Sequence, residues 1–140
     1  MLASILWPVL AHVGLVFLLY AWLTWVRMQA VQRREVSYAS FAFNREEPPG
    51  VARIRLNLAN QFELPVIFYA AVILLVALGR VTVIDLIAAW VFVFGRVVHT
   101  LVQTLTDNVP LRGRVFLINF LGVVALVVHV AWLAIEGIGR

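Results

Sequence analysis

The sequence predicts an all-α integral membrane protein built as a four-transmembrane-helix bundle. Three observations carry this. The chain has 140 residues, 64% hydrophobic and only 13% charged, with mean hydropathy +0.99. A soluble domain is about 25% charged, and eleven arginines with seven acids cannot cover a water-soluble globule of this size. Uncharged stretches long enough to cross a bilayer are present, and no alternation of short strands points to a β-barrel. The absence of cysteine excludes a disulfide scaffold, and the composition excludes a disordered or collagen-like chain.

The first helix is expected over about residues 2–26, because Leu2 to Val26 carries no formal charge over 25 residues. It lacks a basic leading segment and is too apolar for too long to be a cleavable signal, so it reads as a retained helix. A second helix is expected over about 54–79 and contains Glu63. A third, about 81–105, contains Asp85 and Arg96. The fourth, about 115–136, includes the uncharged run Val115 to Ile135. Each is read as a helix because a span in lipid must satisfy its own backbone hydrogen bonds. The whole chain, 1–140, reads as a single membrane domain.

The connections are unequal. The first loop, 27–53, is long and polar, with a turn-rich stretch at Phe43-Asn44-Arg45-Glu46-Glu47-Pro48-Pro49-Gly50. The second is little more than Gly79-Arg80, and the third spans 106–114. Around loops 1 and 3 lie Arg27, Arg33, Arg34, Arg45, Arg53, Arg55, Arg112 and Arg114, against Arg80 and Arg140 opposite. The positive-inside rule places loops 1 and 3 in the cytoplasm and both termini outside, which suits a bacterial inner membrane. Trp22 and Trp25 at one level and Trp7 and Trp132 at the other suit two aromatic belts. The basic balance, pI about 10.7, is thus topology and lipid head-group contact; no nucleic-acid partner is expected.

Polar residues at membrane depth mark a functional site by default. Arg53, Asn57 and Asn60 fall at i, i+4 and i+7, with Glu63 one turn beyond. Arg96, His99, Thr100 and Gln103 fall at i, i+3, i+4 and i+7 of the third helix, and Thr106 and Asp107 continue that face. Glu63 and Arg96 both lie roughly 12–15 Å from the helix ends at loops 1 and 3. They are expected to pair as the floor of a polar cleft open to the cytoplasm. The plain alternative is a buried ion pair with polar helix–helix contacts and no ligand. Pro65 removes a donor and frees a carbonyl, which either shapes the cleft or kinks the helix. His12 and His129 read as satisfied core histidines, and Asn119 as an interhelical hydrogen-bonder. The histidines lack metal-ligand spacing, so no metal is expected.

Two stretches resemble a known family. Arg53-Ile-Arg-Leu-Asn-Leu-Ala-Asn60-Gln-Phe-Glu63-Leu-Pro65 is similar to the second-helix motif of the MAPEG superfamily, the membrane-associated proteins in eicosanoid and glutathione metabolism. Arg96-Val-Val-His99-Thr100 followed by Pro110-Leu-Arg112 resembles that family's third helix and next loop, nearest to the prostaglandin E synthase and microsomal glutathione transferase branch. The resemblance covers nearly the whole chain. It implies a homotrimer, glutathione bound as co-substrate between subunits, and a lipophilic small-molecule substrate. It implies that Asn60, Glu63, Arg96 and His99 help hold glutathione, with Arg53, Asn57 and Gln103 on the same faces. It implies that Arg112 acts on the thiol as the catalytic group. A guanidinium favours thiolate, and thiolate is the nucleophile.

The chain departs from the family at Ala59, Gln103, Gly113 and Phe116, where Arg, Tyr, Ser and Tyr are common. Arg27 either supplies the cation lost at Ala59 or snorkels to the interface. The resemblance therefore implies a glutathione- or thiol-dependent transferase, peroxidase or isomerase. The alternative is a non-enzymatic membrane protein that uses the same groove for a lipid or partner. A multidrug transporter with Glu63 as proton carrier is disfavoured by Arg96, which would hold that carboxylate charged.

Overall fold

A computed structural model describes residues 2–43 and 47–138. Arg45 and Arg140, counted above in the charge asymmetry, and the centre of the turn-rich stretch lie outside the described residues. The described chain is helical: α1 (Leu6–Gln32), α2 (Pro49–Ala59), α3 (Leu64–Ala77), α4 (Val83–Leu105) and α5 (Val109–Ile138), with 3₁₀ turns at Tyr38–Phe43 and Asn60–Phe62. Four spans are long and apolar enough to cross a membrane, with α2 and α3 together forming the second. The chain is an integral membrane protein.

Local chemistry sets the boundaries. α1 outruns its expected end and stops where Arg34 takes a left-handed φ of 58° and the Glu35 amide donates to the Ala30 carbonyl (3.0 Å). The same closing motif ends α3, where Gly79 (φ 64°) carries the left-handed turn and the Arg80 amide reaches the Leu75 carbonyl. α2 begins at Pro49, with Pro48 extended before it, because proline at the first helical position loses no intrahelical bond. Thr82 and Asp85 cap α4 reciprocally.

α5 starts six residues before the expected 115. Asn108 Oδ1 accepts the Leu111 amide at 2.9 Å, and Pro110 sits in the first turn. Arg112 and Arg114 are therefore helical. Their charges mark the edge of the apolar stretch, not the edge of the helix.

The second span is broken at Asn60–Glu63. Pro65 has no amide hydrogen and its ring opposes the carbonyl four residues back. The helix tightens to 3₁₀, Glu63 takes φ −101° and ψ −100°, and α3 restarts at Leu64. Above the break α2 packs on α1 through Leu19, Leu23, Val51, Ile54 and Leu58. Below it α3, α4 and α5 share a second core around Phe68, which stacks on Phe92 at 4.1 Å. α4 and α5 meet almost backbone to backbone: a Cβ at Gly122 would lie 2.8 Å from the Ala88 carbonyl, and one at Gly95 2.9 Å from the Asn119 amide nitrogen.

Candidate functional site

A layer of buried polar side chains separates the two apolar cores. Gln61 Oε1 accepts from Arg96 Nε (3.1 Å), and His12 Nε2 lies 3.1 Å from the same oxygen. Gln61 Nε2 donates to the carbonyl and side-chain oxygens of Asn57. Thr100 donates to Asn57 Oδ1 (3.0 Å), and Asn57 and Asn60 both donate to Gln103 Oε1 (2.9 and 3.1 Å). Arg96 Nη2 donates to the Asn60 carbonyl at 3.0 Å, at the start of the 3₁₀ turn that breaks the span before Pro65. The break that accompanies Pro65 thus lies where Arg96 reaches the backbone of the second span.

Outside this layer, along α4, runs a groove. One wall is α2 with the break; the other is the start of α5. Three adjoining cavities make it up. The outermost, about 110 Å³, is bordered by Arg53, Gln103, Asp107 and Arg112. The middle one, about 390 Å³, is bordered by Asn60, His99, Gln103, Arg112 and Phe116. The innermost, about 380 Å³, is bordered by Asn60, Glu63, Arg96, His99 and Phe116. Gln103 and Arg112 join the first two, and Asn60, His99 and Phe116 join the last two.

Seven residues singled out in the sequence therefore border one groove: Arg53, Asn60, Glu63, Arg96, His99, Gln103 and Arg112. Arg53 forms an ion pair with Asp107 at its mouth. Arg112 stands on the first turn of α5, its amide bonded to the Asn108 carbonyl. His99 is 4% exposed, its Nδ1 has no partner among the described residues, and Phe116 meets its ring edge-on. An unpaired buried nitrogen on a cavity wall is a place for a ligand atom.

The remaining two residues lie elsewhere. Asn57 is fully buried and points into the polar layer. Arg27 joins Glu47 at 2.7 Å and covers the Phe41 ring, outside this chain's groove. Arg55 binds the other oxygen of Glu47 at 2.6 Å. Burial alone would raise the Glu47 pKa, but the hydrogen bonds from Arg55 and Arg27 outweigh it and hold the carboxyl below the usual range.

Two expectations are corrected. Among the described residues Glu63 and Arg96 do not form an ion pair, because Gln61 and the Asn60 carbonyl hold the guanidinium and the break leaves Glu63 exposed. Asn119 is fully buried, yet among the described residues neither side-chain amide atom has a hydrogen-bond partner, since it faces Gly95, which brings no polar side chain. His12 and His129 are satisfied, His12 by Gln61 and Tyr69, His129 by Asp85 at 2.8 Å. Gln61 and Tyr69 were not singled out in the sequence. Gln61 lies four residues after Asn57, so helical spacing pointed to it; nothing in the sequence marked Tyr69.

The family model for MAPEG matches residues 9–132. The chain belongs to the MAPEG family. The match takes in both motifs, the groove and the polar layer behind it. Comparison with curated proteins and with solved structures gave no match. MAPEG membership supports the membrane setting and the four-helix bundle; the reaction must be argued from the groove.

Proposed function

We propose that this MAPEG protein binds glutathione, or a closely similar anionic thiol, in the α2–α4–α5 groove and adds its sulfur to a lipophilic electrophile. The observation that carries the reading is the groove's donor set. Glutathione has two carboxylates and one ammonium. Arg53, Arg96 and Arg112 suit the carboxylates and the thiolate, and Glu63 suits the ammonium. Asn60 and His99 supply neutral hydrogen bonds between them.

Arg112 is the proposed catalytic residue. It combines a guanidinium with a place on the first turn of α5, where the helix dipole adds positive potential. Both favour thiolate over thiol. The thiolate attacks the electrophilic carbon, a sulfur–carbon bond forms, and the displaced group leaves with the electron pair. The apolar wall at Phe116 suits an electrophile arriving from lipid.

The groove also bears on assembly. Glu63 and Arg112 are exposed on the single chain at or near membrane depth. A charged group facing lipid costs several kcal/mol, at about 2.5–3.5 for arginine at a helix centre. A second copy of the chain would cover them, which fits a homotrimer with the arginine-rich end in the cytoplasm.

The test is thermal unfolding of the protein in lipid nanodiscs with millimolar glutathione, read beside the ultraviolet absorbance of bound thiolate. Stabilisation with a thiolate band that disappears in Arg112→Ala is the expected result. Stabilisation scales as RT ln(1 + [L]/Kd), about 2.7 kcal/mol at a hundredfold excess over Kd. No stabilisation and no thiolate would overturn the reading and leave the non-enzymatic lipid or partner groove in its place.

A further inference from the structure

We infer that Gln61, His12 and Tyr69 are positioning residues that fix the Arg96 guanidinium at the floor of the groove. The inference rests on the glutathione reading above and extends it to side chains that border no part of the groove.

Hydrogen-bond polarity is decided by groups of unambiguous type. Arg96 Nε can only donate, so the Gln61 atom it meets is the oxygen. The Asn57 carbonyl can only accept, so the Gln61 atom it meets is the nitrogen. Both ends of the Gln61 amide are thereby oriented. The oxygen must also take the proton of His12 Nε2. A neutral His12 then accepts at Nδ1, and the Tyr69 hydroxyl donates to it at 2.6 Å. One directed chain results, from Tyr69 to His12 to Gln61, with Arg96 closing on the same oxygen.

Three features show that this chain holds Arg96 in place. Arg96, Gln61 and His12 are each at most 1% exposed. The His12 ring packs against the stacked Phe68 and Phe92 rings, with centroids at 6.3 and 5.3 Å, and against the Tyr69 ring at 5.5 Å, which restricts its rotation. Arg96 uses Nε on Gln61 and Nη2 on the Asn60 carbonyl, which fixes the guanidinium plane from behind. Arg96 also borders the cavity shared with Glu63 and His99. A preset guanidinium binds a carboxylate without first losing rotamer freedom.

The test is a double-mutant cycle on glutathione affinity in nanodiscs. Gln61→Met removes the shared acceptor at similar volume, and Arg96→Met removes the group it positions. Gln61→Met is expected to weaken glutathione about tenfold in the wild-type background and less than twofold in the Arg96→Met background. His12→Phe, which keeps the ring packing, should give a smaller loss of the same pattern. Equal losses in both backgrounds would mean a merely structural role and overturn the inference. A second readout needs no ligand: with ¹⁵N-histidine and ¹⁵N-arginine labels, wild type should show His12 protonated on Nε2 and a slowly exchanging Arg96 Nε–H. Fast Arg96 Nε–H exchange in Gln61→Met is expected. An Nδ1-protonated His12, or unchanged exchange in Gln61→Met, would overturn the inference. Failure of wild type to bind glutathione would strike the functional reading alone.

Discussion

Asn119→Leu should make the protein more stable. Asn119 is fully buried between α4 and α5, with both side-chain amide atoms unpaired among the described residues. An unpaired buried polar group costs about 1–3 kcal/mol. Leucine removes that cost and adds apolar contact at nearly the same length. Its different branching, beside the close approach at Gly95, takes back up to about 1.5 kcal/mol. At mid-range the net gain is about 1 kcal/mol, or roughly 3–5 °C in Tm for a chain of this size. Tryptophan fluorescence during heating in detergent gives the Tm, and Asn119→Asp serves as the opposite control because it buries a charge. A fall of 2 °C or more in Asn119→Leu would refute the reasoning. It would mean that the amide has a partner in the working protein.

Two further outcomes follow from packing and charge. Gly122→Ala should lower Tm by roughly 3–10 °C, because its Cβ meets the backbone of Ala88 and Phe92 and overpacking costs about 1–3 kcal/mol; Gly14→Ala, with nothing within 4 Å of its Cβ, should not lower it, and equal melting of the two would sink the close-packing account. Glu47 titrates below its ordinary 4.5 when folded, so its stabilising effect is present above that value and is lost as pH falls through the folded pKa. Between about pH 6 and about pH 3 the Tm of wild type should therefore drop more steeply than that of Glu47→Gln, and parallel curves would remove Glu47 from the account.

Much of this architecture is legible in the sequence. The four spans follow from apolar run lengths, which depend on composition alone. The groove was legible because α4 keeps regular helical spacing, so Arg96, His99 and Gln103 had to share a face. The second span was less legible because Pro65 breaks the period on which the reading depended. Asn57 turns inward, Asn60 lines the groove and Glu63 is left at the break. The pairing of Glu63 with Arg96 failed for a related reason: depth can be counted along a helix, but competition from Gln61 and the Asn60 carbonyl cannot. His12 gave no sign of its partners because α1 has no polar stripe to orient it, and Gln61 is 49 positions away.

The polar layer also carries a direction in time. α4 brings Arg96 into the membrane, a residue that penalises insertion of a lone helix by about 2.5–3.5 kcal/mol. The groups that receive its protons, Gln61 and the Asn60 carbonyl, precede it in the chain, as does Asn57, the acceptor for Thr100. A ribosome therefore delivers the acceptors before the donor. If the spans insert in chain order, α4 meets acceptors that have already been made, and the order of synthesis favours assembly of the site.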